Sequence, residues 1–243
     1  MYNQQFDLDG FPMIPCTNER VETFLDTTAL LQLITTLGSI QSAPSIASVP
    51  IAVIPAPVAV VQPALLKDCT LLTANQQSSL SKWLATDVKL KSPWKLSYQG
   101  SRDGFGSDKF HSLCDIKGES VTIIKSSDGF VFGGYSSASW DTQNKHRQWE
   151  NAPDSFIFTI SNPHGIQPTQ YSLIQPQYAI YHHSGCGPRF GGGNDIGVSS
   201  DCNTNNKSFT NFPHSYEDTT GKGEETFTGS EYFIVSDIQV FTH

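Results

Sequence analysis

The residues best suited to chemistry are a thiol and two imidazoles close together: His182, His183 and Cys186, the last between Gly185 and Gly187. A peroxide-reducing cysteine must be an accessible thiolate of lowered pKa. Flanking glycines would allow access and a protonated neighbour would lower the pKa, so Cys186 is the candidate catalytic residue. Its alternative role is a turn or packing position. Zinc has approximations to ligand spacing in His111-x-x-Cys114 and His182-x-x-x-Cys186, with His183 and Cys202 further donors, but lacks the paired close spacings of a structural site. Asp201, Asn203 and Asn205 resemble the opening of a calcium loop. Asn206 stands where that loop needs glycine and Phe212 where it needs a bidentate glutamate, so a tight surface turn is the competing reading. No G-x-S-x-G occurs, and the Gly221-Lys222-Gly223 run lacks both the upstream glycine and the following hydroxyl of a phosphate-binding loop.

These groups must be positioned by the elements around them. In WKLSY, Trp94, Leu96 and Tyr98 alternate with Lys95 and Ser97, which predicts a strand with one buried face. SRDGFGSD reads as a polar loop. In it Ser101, Arg102, Asp103 and Gly104 are candidate binding residues, and Arg102 and Asp103 can pair with each other. Phe110, Leu113 and Cys114 fall at helical spacing, with Cys114 on the apolar side and Gly118 as the stop. VTIIK and FVFGGY follow as two strands joined through Asp128-Gly129. Upstream, Thr73 and Gln76 have the spacing of a capping box opening a helix over 74–87, and Pro93 prevents its continuation. Downstream of Tyr135 a polar loop carrying Trp140 and Trp149 is expected, after which SFIFTISN and segments 170–174, 178–182, 196–199 and 231–241 read as strands.

Strands joined by turns, without alternating helices, imply antiparallel pairing with faces buried by a second sheet. Seventeen of nineteen glycines and 23 of 27 aromatic residues lie in 67–243, which suits such a packing. The expected class is α+β, mainly β: a two-layer antiparallel sandwich edged by short helices. Gly133, Gly134, Gly187 and Gly191, with Phe190 in the GPRFG run, either allow close approach of the sheets or offer a backbone surface for a ligand.

The amino-terminal part differs in character. An amphipathic helix is expected from Asn18 to Gly38, and 27–66 contains no charged residue. Its hydropathy raises a membrane span, but prolines 50, 55, 57 and 63 would each cost about 3 kcal/mol inside a helix. A Pro/Ala/Val-rich linker over 43–65 is the better reading, leaving membrane association indirect or weak. The net charge of −8 is divided equally between 1–66 and 67–243, and neither part is basic, which disfavours nucleic acid. Five cysteines without a C-x-x-C pair, and acids at Asp7 and Asp9 where a signal sequence would be positive, point to a reducing, cytoplasmic setting.

W-K-L-x-Y, S-R-D-G-F, F-H-x-x-C-D-x-K-G and V-F-G-G-Y, in that order, followed by Trp140, SFIFTISN, GPRFG, Asp195-Ile196, the Asn-rich 201–206, Ser215-Tyr216 and FIVSDIQVF, resemble the TLDc domain. The resemblance implies an antiparallel β-sandwich over 66–243, preceded by an extension at 1–42 and the linker at 43–65. It implies a non-enzymatic protein-interaction module without a cofactor, linked to oxidative stress resistance and to subunits of the vacuolar proton-pumping ATPase. The competing classes are a thiol-dependent peroxidase-like or metal-dependent enzyme, and a lectin-like ligand-binding sandwich.

Overall fold

The computed structural model describes residues 65–87 and 94–243. The helix expected over 18–38 and the linker at 43–65 fall outside the described residues, Leu65 excepted. Helix α1 (Ala74–Asp87) opens with the expected reciprocal cap: the Thr73 backbone N–H donates to Gln76 Oε1 at 2.9 Å, and the Gln76 N–H returns to Thr73 Oγ1 at 3.4 Å. Beyond it come β1 (Lys95–Gln99), α2 (Gly100–Asp103), α3 (Ser107–Cys114), β2 (Ser120–Ser126) and β3 (Val131–Ser136). The remaining strands are β4 (Gln148–Glu150), β5 (Phe156–Ser161), β6 (Thr169–Ser172), β7 (Ile180–His182), β8 (Cys186–Phe190), β9 (Ile196–Ser199), β10 (Ser208–Phe209), β11 (Tyr232–Phe233) and β12 (Val235–Thr242).

They form two six-stranded sheets in the orders β1-β12-β2-β3-β5-β6 and β11-β10-β9-β8-β7-β4, with every strand pair antiparallel. The sandwich expected from the sequence is therefore present. Between the sheets lie Ile124, Phe132 and Ile157 from the first and Ile180, Phe190, Ile196 and Val198 from the second. On the outer side of the first sheet, Leu80 and Leu84 of α1 pack with Val121, Ile123, Phe156 and Phe158. The first sheet is thus covered on both faces, which is why SVTIIKS and FIFTIS are buried almost throughout. No helix among the described residues is long and apolar enough to cross a membrane.

Three local expectations need correction. SRD is not a loop: Gly100–Asp103 forms one helical turn, with the Asp103 carboxylate accepting the Gln99 N–H at 2.9 Å and Gly104 leaving at φ 99°. Helix α3 stops before Gly118, because Asp115 has extended backbone angles and Ile116 then turns left-handed at φ 59°. That turn is held by the Ile116 N–H donating to the Trp140 carbonyl at 2.8 Å. The third concerns 136–155, which is more than a polar loop, since Trp140 is wholly buried and Trp149 lies in β4.

Candidate docking site

Three groups of candidate residues occupy distinct places. Ser101, Arg102, Asp103 and Gly104 are on the surface at the end of β1, held largely by one another. Arg102 grips Asp103 through two bonds of 2.8 and 2.7 Å, and this pairing holds the Asp103 carboxyl below its usual range. The Ser101 N–H and hydroxyl both donate to Asp237, at 2.9 and 2.8 Å, tying the turn to β12. What this turn presents outward is a fixed, mixed-charge knob.

Gly133, Gly134, Gly187, Phe190 and Gly191 lie inside the domain. A side chain at Gly134 would place its first carbon 2.7 Å from the Phe190 ring, so the missing side chain on β3 is what lets β8 approach the first sheet. Gly187 faces Val198 in the same way, at 3.0 Å. Gly191 takes φ 85°, and a side chain there would collide with the Asp195 carboxylate. Any partner meets these residues only through the surface they shape.

The thiol and imidazoles do not meet in one place. His182 is buried; its Nε2 donates to Glu150 at 3.1 Å and its Nδ1 accepts the Asp141 N–H at 3.2 Å, which requires the neutral ring. Burial holds its pKa below the ordinary value, against the pull of Glu150. His111 Nε2–H donates to the carbonyls of His183 and Cys186, at 3.1 and 2.9 Å, while its Nδ1 stands 2.9 Å from Asp115. That ring therefore fastens α3 to the turn entering β8. His183 Nδ1 accepts the Gly185 N–H at 3.1 Å. Cys186 is half-buried, whereas Cys114 and Cys202 are buried and burial pushes both thiols up, Cys202 to about 12.

Among the described residues no group of three or more His, Cys, Asp or Glu side chains could hold a metal ion. Asn205 uses its amide to close a turn, with Nδ2 donating to the carbonyls of Ser200 and Asp201 at 2.9 and 2.8 Å and Oδ1 accepting the Lys207 N–H at 3.0 Å. Asp201 is left-handed at φ 53°, and Asn203 lies exposed between them.

Sequence reasoning missed Asp195 and Trp140 as organisers, and it missed the strands β4, β8 and β10. Their patterns give little warning. QWE and SF are too short for a period, and CGPRF contains a proline at the irregular register between Cys186 and Arg189.

The histidine geometry gives a pH prediction. A native pKa below the unfolded value of about 6.5 means that His182 contributes stability fully above that pH. The contribution is lost as pH falls from about 6.5 through the lower native value, because the unfolded chain then binds more protons. The urea midpoint should therefore fall on acidification across this range, and His182→Gln should flatten part of the slope. An unchanged slope in the variant would refute the assignment.

Comparison with known proteins bears on the whole described body. The TLDc domain family matches residues 65–243. Among curated proteins, the MTOR-associated protein MEAK7 of Xenopus laevis is 34% identical over 85 residues, covering 34% of this chain and 17% of its own length. The Gallus gallus protein of that name is 32% identical over 76 residues, covering 30% and 15% respectively. The Danio rerio protein is 26% identical over 68 residues, covering 28% and 14%. The matched stretches span about a sixth of these relatives or less. With the family match extending over most of the sequence and both sheets, the chain belongs to the TLDc domain family.

Proposed function

We propose that this chain is a non-enzymatic TLDc protein-interaction module, acting in the cytoplasm in oxidative stress resistance and in regulation of the vacuolar proton-pumping ATPase. The single observation that carries the reading is that the candidate thiol and imidazoles do not converge on one site, two of the imidazoles being spent on structure. His182 and His111 satisfy Glu150, the Asp141 N–H and backbone carbonyls. The MEAK7 relatives are named for an association with MTOR, which supports a protein-interaction role.

Capture from lysate with the whole chain as bait, followed by mass spectrometry, should recover proton-pump subunits. Recovery of none by a chain that remains folded would remove the pump from the proposal. In parallel, purified protein and Cys186→Ser should consume peroxide at the same negligible rate, and a rate dependent on Cys186 would replace a docking module with a thiol peroxidase.

A further inference from the structure

The two sheets are finished differently on their outer sides. α1 covers the first, whereas the outward residues of the second belong to neither hydrophobic cluster among the described residues. Those residues form a row set by strand register. Trp149 on β4 pairs with Tyr181 on β7; one residue along, Arg189 on β8 faces Gly197 on β9, which faces Phe209 on β10, which faces Tyr232 on β11. The Trp149 and Tyr181 rings lie 4.2 Å apart, and the Arg189 guanidinium lies 5.9 Å from the Phe209 ring centre. Gly197 supplies no side chain and is buried, the Phe209 ring lying 3.1 Å from where its first side-chain carbon would stand.

The charge on this face is opposite to that of the chain, whose net charge is −8. Arg147, just before β4, and Arg189 have no acidic partner among the described residues. Arg189 donates one bond of 3.3 Å, to Asn194, and its buried Nε–H finds no acceptor. Both guanidinium groups act on the same place: burial first, then Arg189 and Arg147, hold His183 below the ordinary histidine range. At the far end Glu231 lies beside Tyr232 and reverses the sign. The cationic and aromatic half is therefore the β4–β7–β8 side.

We infer that the β4–β7–β8 half of this outer face docks an extended, acidic partner segment, its carboxylates meeting Arg147 and Arg189 and its aromatic side chains packing on Trp149 and Tyr181. Planar guanidinium groups suit carboxylate recognition, and partly exposed aromatic rings supply contact area at low entropic cost. The acidic remainder of the domain repels such a segment, which favours this face over others. The inference rests on the docking-module reading and names the partner's chemistry.

The test uses the whole chain and a fluorescein-labelled peptide alternating aspartate with phenylalanine, read by fluorescence anisotropy. A second peptide with lysine in place of aspartate is the charge control. The aspartate peptide should bind, with affinity falling as salt rises, and the lysine peptide should not. Arg147→Glu, at an exposed position, should weaken binding about tenfold or more, equivalent to about 1.4 kcal/mol. Tyr181→Ser should weaken it without altering the salt dependence. Equal binding of the two peptides, undiminished binding by Arg147→Glu, or burial of the face in a self-associated dimer by sedimentation would each overturn the inference. Proton-pump capture unaffected by Arg147→Glu would show that the docking module stands and only this surface is wrong.

Discussion

Trp140→Ala should lower the stability of the TLDc body by about 3–5 kcal/mol, the range for removing a large aromatic side chain from a packed interior. The residue touches each layer of the structure. Its ring stands edge-on to Phe110 of α3 at 5.5 Å, to Phe190 of β8 at 5.6 Å and to His182 of β7 at 6.5 Å. Its Nε1–H donates to the buried Ser120 hydroxyl of β2 at 2.9 Å. Its carbonyl accepts the Ile116 N–H and so fixes the left-handed turn that ends α3. Since single domains are stable by only about 5–15 kcal/mol, the alanine variant should lose a large part of that margin. Trp140→Phe keeps most of the packing but strands the Ser120 hydroxyl, at about 1–3 kcal/mol for an unpaired buried group. Urea unfolding of both variants checks the order. A phenylalanine variant as unstable as the alanine one would mean that the indole N–H, rather than ring volume, joins the layers.

How far this organisation was legible in the sequence depends on whether a segment's pattern or its distant neighbours decide its state. α1, β2, β3 and β5 were readable because cap chemistry, an Asp-Gly turn and apolar runs are local signals. Glycine at 134 was readable as a close approach, though not the ring it admits. The second sheet was harder to read: β10 has two residues, β4 three, and β8 carries a proline, so they become strands through partners far along the chain. The candidate site shows the same division. Arg102 and Asp103 are neighbours in sequence and pair as their spacing suggests. His182 and Cys186 also are neighbours, yet His182 turns inward to Glu150, 32 residues away, and no spacing rule reports that. Nor does one report the row from Trp149 to Tyr232, which exists only once six strands are in register.

Asp195→Ala is expected to be as damaging, for the opposite reason: it deletes an acceptor rather than volume. The Asp195 side chain is fully buried at the start of β9 and faces the segment after Phe212. Its carboxylate accepts the N–H groups of His214 at 2.6 Å, Ser215 at 3.0 Å and Tyr216 at 3.4 Å. Tyr216, also buried, then reaches across to the Ala179 carbonyl at 2.8 Å, so one carboxylate organises the approach of three segments. Alanine would leave those donors without their acceptor at about 1–3 kcal/mol each, a loss of about 3 kcal/mol or more even if water recovers part. Asparagine keeps one acceptor oxygen and should lose less. Burial pushes the Asp195 carboxyl above its ordinary 3.8, opposed by the three N–H donors. A raised native value favours the protonated form in the folded state, so this contribution is complete below about 4 and declines as pH rises through the native value. The stability difference between the natural protein and Asp195→Asn, which cannot titrate, should accordingly narrow as pH rises above about 4. A difference that widens instead would show that the N–H donors outweigh burial, and that the carboxylate is held charged in the folded domain.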